Sequence, residues 1–308
     1  INAPQPLRRI ISWLIVGRRL SGAKSNYAKM GGGSPIVAET QRQANALQAK
    51  LDGDNKQGKG FKVFFFMRYW HPFAEDVIPK VIEYNPDEIV LLPLYPHFST
   101  TTTGSAFAVW DSAWERFEVS SPKLRRVCCY PVQSSFLDAY TELVFDTLKE
   151  AEGQNFRVLF SAHGLPVKVV ERGDPYQFQV EGTVKRIVKK LKMKNLDYIL
   201  CYQSRVGPMR WLEPSIEQEI KRAANDKKKS VIVVPISFVS EHIETLVELD
   251  DEYCNLAKGL GIDSYHRVPT VRIHEKFIEC LAEICIEKEP LKHAFCSGNF
   301  SQCLFGAP

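Results

Sequence analysis

Short apolar runs, most with little polar alternation, separated by longer amphipathic stretches constrain this chain's fold more than any other feature. The runs fall at 62–67 (KVFFFM), 88–94 (EIVLLPL), 124–130, 157–162 (RVLFSA), 198–202 (YILCY) and 230–236 (SVIVVPI). Strands buried on both faces read this way; strands with one wet face alternate. Helical patterns occupy 37–51, 74–84, 134–151, 177–191, 215–224, 243–256 and 272–287, most without a clean capping box. Strand and helix in turn predict an α/β fold with parallel sheets and crossover helices. About seven such units exceed one small sheet. The expected architecture is two doubly wound, Rossmann-like domains whose parallel sheets face each other across a cleft. Ligands of such folds sit beyond the carboxyl ends of the strands.

A net charge of +4 over 308 residues does not suit a nucleic-acid binder, and the one basic run, 227–229, reads as a solvated turn. Eight cysteines are too few for a disulfide scaffold of this size, so mostly buried thiols in a reducing compartment are expected. No apolar run is long enough to span a membrane. Arg8 and Arg9 before the apolar 10–16 mimic a short leader, but Gly17, Arg18 and Arg19 cut that run off. A basic amphipathic helix is the better reading, either packed on the core or touching a membrane surface.

The polar oddities gather after strands. His163 ends one apolar run and is followed at once by Gly164, Leu165 and Pro166. An imidazole there can ligate a borderline metal or accept a proton; the bland alternative is a histidine bonded to a nearby carbonyl. After another run comes SFVSEHIETLVELDDEY (237–253), where Glu244, Glu248 and Glu252 recur at steps of four on one helical face. Like charges so spaced cost a few tenths of a kcal/mol per pair, about 0.2–0.5. A solvated acidic face is the common explanation. Facing a cleft, the row would instead bind a cation and relay protons. Aromatic residues at several strand ends imply a large, flat, apolar ligand. The glycines 31–33 lack the lysine and spacing of a nucleotide site.

These segments resemble the ferrochelatase family. SAHGLP (161–166), RGDPY (172–176), CYQSRVGP with MRWLEPS, and VPISFVSEHIETLVELDDEY stand in the family's order, and YAKMGGGSP (27–35) and LYPHFSTTTTGS (94–105) extend the match to roughly residues 5–288. The resemblance implies insertion of ferrous iron, the substrate, into protoporphyrin IX to form protohaem, a lyase reaction that requires no cofactor. It implies that His163 and Glu244 form the catalytic and metal-site pair. Glu241, His242, Glu248 and Glu252 would continue the proton or metal path. Arg19, Tyr27, Ser34, Arg68, Tyr69, Tyr95, Gln203, Ser204, Trp211 and Phe238 would line the porphyrin pocket. Coproporphyrin as substrate, a catalytically inactive porphyrin- or haem-binding remnant, and a cobalt chelatase stay open as rival readings.

Domain boundaries are expected at 1–131 with 270–308 for the first unit and 132–269 for the second, which carries His163 and the acidic helix. Family members usually open with an apolar strand and a glycine-containing loop ahead of the region matching residues 5–30. That unit is not seen here, and a missing central strand predicts unpaired backbone groups in the first sheet. Some relatives hold a two-iron cluster on cysteines near the C-terminus. Here Cys296 and Cys303 are the tail candidates, with Cys280 and Cys285 on the preceding helix, and Thr100 stands where an upstream cysteine would be. Because four thiolates are the normal requirement, no iron–sulfur cluster is expected. The expected location is the bacterial cytoplasm, with peripheral contact at the inner membrane as an open reading.

Overall fold

The computed structural model describes residues 26–54, 60–120, 122–287, 296 and 300–303. Among them, strands form two parallel sheets. The smaller pairs β1 (Glu88–Leu91) with β2 (Lys123–Arg126), Glu88 opposite Lys123. The larger contains β3 (Phe156–His163), β4 (Tyr198–Gln203), β5 (Ser230–Pro235) and β6 (Ser264–Arg267), in the order β4-β3-β5-β6. With these four strands parallel, the ends that carry His163, Gln203 and Pro235 lie along one edge. His163 is directly paired with Gln203, and Ser161 with Pro235.

Alternate residues of β3 serve opposite faces, as a strand requires. Val158, Phe160 and Ala162 join the main core, which runs from Leu47 and Leu51 to Ile284. Leu159 joins a second core with Ile216, Ile220, Val231 and Val233. Each fully buried side chain of this kind contributes about 1.5–3 kcal/mol. This two-sided burial is why β3 and β5 read as unbroken apolar runs. A third core, under β1, is closed by helices Ala74–Tyr84 and Ser105–Trp114.

Several expectations are corrected. Residues 62–67 form no strand and enter no ladder among the described residues. Val63 N–H instead donates to Gln48 Oε1 at 2.8 Å, and Met67 N–H to Pro72 O at 2.7 Å. β1 stops at Leu91 rather than 94, two residues before Pro93, which lacks an N–H. β2 uses the charged KLRR; the apolar 127–130 follow it as a buried segment. Strand β6 (SYHR) went unread because an edge strand carrying half-buried polar side chains has no apolar run. Helix Ser105–Trp114 went unread because its sequence, SAFAVWDSAW, is apolar nearly all round. Helix Ile216–Asn225 does have a capping box: Ser215 Oγ accepts from Gln218 N–H and Gln218 Oε1 from Ser215 N–H.

The stretch predicted as one helix over 243–256 is a π-helix over Glu244–Tyr253 that continues as an α-helix over Cys254–Gly259. Side-chain donors enter its ladder from outside: Gln203 Nε2 donates to Glu244 O at 3.0 Å and Tyr265 OH to Leu249 O at 2.7 Å. Carbonyls occupied in this way favour the wider i→i+5 turn, a form that recurs at functional sites.

Candidate active site

His163 sits on the last residue of β3 and is held from several sides. Its N–H donates to Ser237 Oγ at 3.0 Å, and its carbonyl accepts from Tyr176 OH at 3.0 Å. The ring Nδ1 lies 2.7 Å from Glu244 Oε2, on the first residue of the π-helix. Gly164 is required next: a Cβ there would stand 2.8 Å from Gln203 O, the carbonyl that accepts its own N–H.

Ser204 follows β4 in the left-handed region, φ +61°, a conformation that costs a non-glycine residue about 1–3 kcal/mol. That bend brings Ser204 Oγ to 2.8 Å from Glu244 Oε2 and 2.6 Å from Glu248 Oε2. One hydroxyl has a single proton to donate. The second contact therefore needs a proton on a carboxyl group. Gln203 is almost wholly buried; its Oε1 accepts from Ser161 Oγ, which aims its amide N–H at Glu248 Oε2, 3.1 Å away.

The electrostatics divide the two carboxylates. Burial pushes Glu244 up, but the hydrogen bond and charge of His163 outweigh it, leaving its pKa below 4.5. Burial likewise opposes charge on His163, and Glu244, with Glu248 behind it, outweighs that and raises the ring above 6.5. Glu248 is raised above 4.5 by burial, with the Glu244 charge adding to it. Of the two carboxyl groups facing Ser204, Glu248 is thus the one more readily protonated. Neighbouring groups with pKa values driven apart are the usual mark of an acid–base site.

The remaining expected residues fall into groups. Phe238 sets its ring edge-on to His163 and to His242, at centroid distances of 6.5 and 4.7 Å. His242, lowered below 6.5 by burial, accepts Glu244 N–H on Nδ1. Glu252 is exposed, so the row Glu244, Glu248, Glu252 climbs from the pair to solvent. Trp211 packs near Gly164 and bridges Pro166, with its buried indole N–H unpartnered. Arg68 lies over the Tyr69 ring at 4.6 Å and bonds Ser105 Oγ; both Arg68 and Tyr69 act electrostatically on Tyr95. Tyr27 is exposed, and Ser34 Oγ accepts Ile36 N–H at the start of the helix Ile36–Gly53. Lys29, which sequence reasoning passed over, ties the 27–35 segment to Asp251 of the π-helix at 2.5 Å.

Glu241 stands apart. Its Oε1 accepts from Arg267, from Thr270 N–H and from Thr270 Oγ1, and Arg267 holds its pKa below 4.5 against the opposing effect of burial. Arg19 lies outside the described residues. Ser161, Ser237 and Tyr176 are the supports that sequence reading missed. They lay inside the motifs already singled out, but only folding shows which atoms they hold.

A profile of the ferrochelatase family matches residues 1–289. The ferrochelatase of Rickettsia bellii is 45% identical over 315 residues, covering 99% of this chain and 86% of that protein. The ferrochelatase of Pelagibacter ubique is 43% identical over 312 residues, covering 98% and 89%. The Wolbachia ferrochelatase is 46% identical over 289 residues, covering 93% and 89%. Among solved structures, SirB from Bacillus subtilis with Fe3+ aligns with a TM-score of 0.56 at 13% identity, over 79% of this chain and 87% of that one. That likeness concerns the fold: an α/β chelatase architecture with parallel sheets. With the family profile spanning nearly the whole chain and relatives of this identity, the chain belongs to the ferrochelatase family.

Proposed function

We propose that the chain inserts ferrous iron into protoporphyrin IX, forming protohaem, with His163 and Glu244 as the reacting pair. The observation that carries this is the contact of His163 Nδ1 with Glu244 Oε2, joined through Ser204 to Glu248 at the mouth of a parallel sheet. Insertion exchanges both pyrrole N–H protons for a dication, so the site needs proton acceptors and oxygen or nitrogen donors together. His163 and Glu244 supply both. Protons leave Glu244 through the Ser204 hydroxyl to Glu248, and Glu252 at the surface passes them to water. The iron is substrate, and its route in is the same acidic row. As each nitrogen–iron bond forms, a proton reaching His163 or Glu244 weakens that group's hold on the metal, which favours transfer to the macrocycle.

Arg68, Tyr69, Tyr95, Trp211 and Phe238 supply apolar faces and a cation suited to a flat ligand with carboxylate substituents. Tyr27 and Ser34, with Arg19, are read as the far wall. We read 1–131 with 270–308 as one unit and 132–269 as the other. Helix Glu275–Ile286 packs against both helix Ile36–Gly53 and helix Ser134–Glu150, which supports a returning C-terminal helix at that junction. No helix among the described residues is long and apolar enough to cross a membrane. Exposed Tyr69 and Trp70 support peripheral contact with a membrane surface from the cytoplasmic side.

The test is anaerobic ferrous-iron insertion, followed as loss of porphyrin fluorescence, with proto- and coproporphyrin compared. Turnover with protoporphyrin is expected. Tight binding of both porphyrins with no insertion would refute the assignment.

A further inference from the structure

We propose that Gln43 is a positioning residue for the reacting pair: it clamps the loop 236–243, which delivers Glu244 to His163, onto the helix that starts beside Ser34. The inference rests on the reading of His163 and Glu244 as that pair, and adds a residue from outside the sheet that carries them.

Between Pro235, the end of β5, and Glu244 the chain lies in no strand. Its backbone groups therefore need partners from elsewhere. The loop carries Ser237, which accepts His163 N–H, and His242, which accepts Glu244 N–H. A shift of the loop would move the supports of both reacting residues.

Gln43 meets this loop with both ends of its amide. It is 1% exposed, on the helix Ile36–Gly53. Its Nε2 donates to Val239 O at 2.8 Å and to Arg272 O at 3.0 Å, and its Oε1 accepts from Ser240 Oγ at 3.1 Å. Two carbonyls and a hydroxyl fix which way the amide faces. A glutamate there would set an anion against two carbonyls, and an apolar side chain would leave buried polar atoms unpaired. An amide answers all three groups at once.

The second segment is braced by the same helix. Arg272 stands in the left-handed region, φ +42°, and its N–H also donates to Val239 O, at 3.0 Å. Its guanidinium returns to the helix and grips Glu39 with two bonds, of 2.7 and 2.8 Å. Glu39 and Gln43, both buried, are four residues apart and share one helical face. That face holds Val239 twice, through Gln43 directly and through Arg272.

In the division into units read above, Glu39, Gln43 and Arg272 belong to the first and the loop to the second. Tyr140 OH reaches the Pro235 and Phe238 carbonyls from within the second unit. The clamp thus sets the register between two walls. Helix Ile36–Gly53 begins at the Ser34 wall of the porphyrin pocket, and its buried face ends on the loop of the reacting pair. Displacing reacting groups by about 1 Å can cost about 10²-fold in rate, so such a clamp is expressed in kcat more than in binding.

The test compares Gln43→Met, Ser240→Ala and Gln48→Met in the full chain, by steady-state insertion of ferrous iron into protoporphyrin and by amide hydrogen exchange. Gln48 is the control: it makes similar bonds from the same helix, to Phe61 O and Val63 N–H, away from the loop. Gln43→Met should lower kcat about 10–100-fold with the porphyrin KM within a few fold. Exchange over 236–246 should quicken while β3 and β5 stay protected. Ser240→Ala, which removes one bond and leaves the helix intact, should move both readouts the same way by less, and it decides the matter if Gln43→Met does not fold. Gln48→Met should keep the wild-type kcat. Wild-type kcat in folded Gln43→Met, or equal losses in Gln43→Met and Gln48→Met, would overturn the proposal. A wild type that inserts no iron would instead defeat the iron-insertion reading. The exchange data would still decide the clamp, which unchanged protection of 236–246 in Gln43→Met would refute.

Discussion

His163 Nδ1 and Glu244 Oε2 stand 2.7 Å apart although 81 residues separate them in the chain. One is the last residue of a buried strand and the other the first of a π-helix, and side chains hold both backbones: His163 N–H donates to Ser237 Oγ and Glu244 N–H to His242 Nδ1. The pair is preorganised rather than assembled on demand, which is how positioned acid–base groups gain their advantage.

Removal of either partner should therefore be severe for chemistry and mild for binding. His163→Ala and Glu244→Gln should each lower insertion by about 10²–10⁴-fold, while porphyrin affinity, read from fluorescence quenching, stays within a few fold. Normal turnover in either variant would sink the assignment.

The pair also makes stability depend on pH. The His163 pKa is raised on folding, so its contribution is full below 6.5 and fades as pH rises through the higher folded value. The Glu244 pKa is depressed, so its contribution is full above 4.5 and fades as pH falls through the lower folded value. The difference in thermal midpoint between the wild type and Glu244→Gln should be largest between pH 4.5 and 6.5 and shrink above it. With His163 read as the acceptor of a pyrrole proton, insertion should rise with a midpoint above pH 6.5. A difference that grows with alkaline pH would contradict the ion-pair reading.

Ser204→Ala removes the one hydroxyl shared by Glu244 and Glu248. The rate should fall about 10–100-fold, less than the about 10²–10⁴ expected for the acid–base pair itself. A solvent isotope effect on the rate should change with it, since the relay proton is lost. An unaltered rate would remove Ser204 from the proton path.

We read Glu241, held by Arg267 and Thr270, as a structural anion rather than part of the metal path, and its substitution separates architecture from chemistry. Glu241→Gln breaks a largely buried pair with Arg267, which retains Asp250 as a partner. With Asp250 still paired to Arg267, the cost in urea unfolding should fall below the about 3–5 kcal/mol of a fully broken buried pair, with the KM for iron unchanged in the folded protein. A raised KM with undiminished stability would return Glu241 to the metal path.

Gly164→Ala tests the turn. The added methyl meets Gln203 O at 2.8 Å, so the β3 and β4 ends must part. Overpacking of this kind costs about 1–3 kcal/mol. Gln203 should also lose its aim at Glu248, so insertion should fall more than stability alone explains; an active, equally stable variant would contradict this.

Much of this was legible in the linear chain where burial was two-sided. FRVLFSAH and SVIVVP declare β3 and β5 because both faces of those strands are buried, so apolar residues dominate and the polar Arg157 and Ser161 are hydrogen-bonded to Asp197 and Gln203. Helix Ala74–Tyr84 matched its predicted span because its apolar residues recur at the helical period. Where that signal fails, so did the reading: β6 has polar, half-buried residues, and 62–67 has strand composition but no ladder among the described residues.

The candidate site divides along the same line. Sequence by itself determined the chemical types and their local order: a histidine at a strand end, a glycine turn straight after it, carboxylates at steps of four. Those follow from short-range rules of period, turn and steric fit. Only the tertiary structure decided that Ser204 bridges Glu244 and Glu248, that Glu241 belongs to Arg267, and that Cys128 and Cys129 meet the tail. Hydrogen bonds and charges act within a few ångströms, and which atoms come that close across 40 or 26 residues, or between Cys129 and Cys296, is set by packing rather than by spacing.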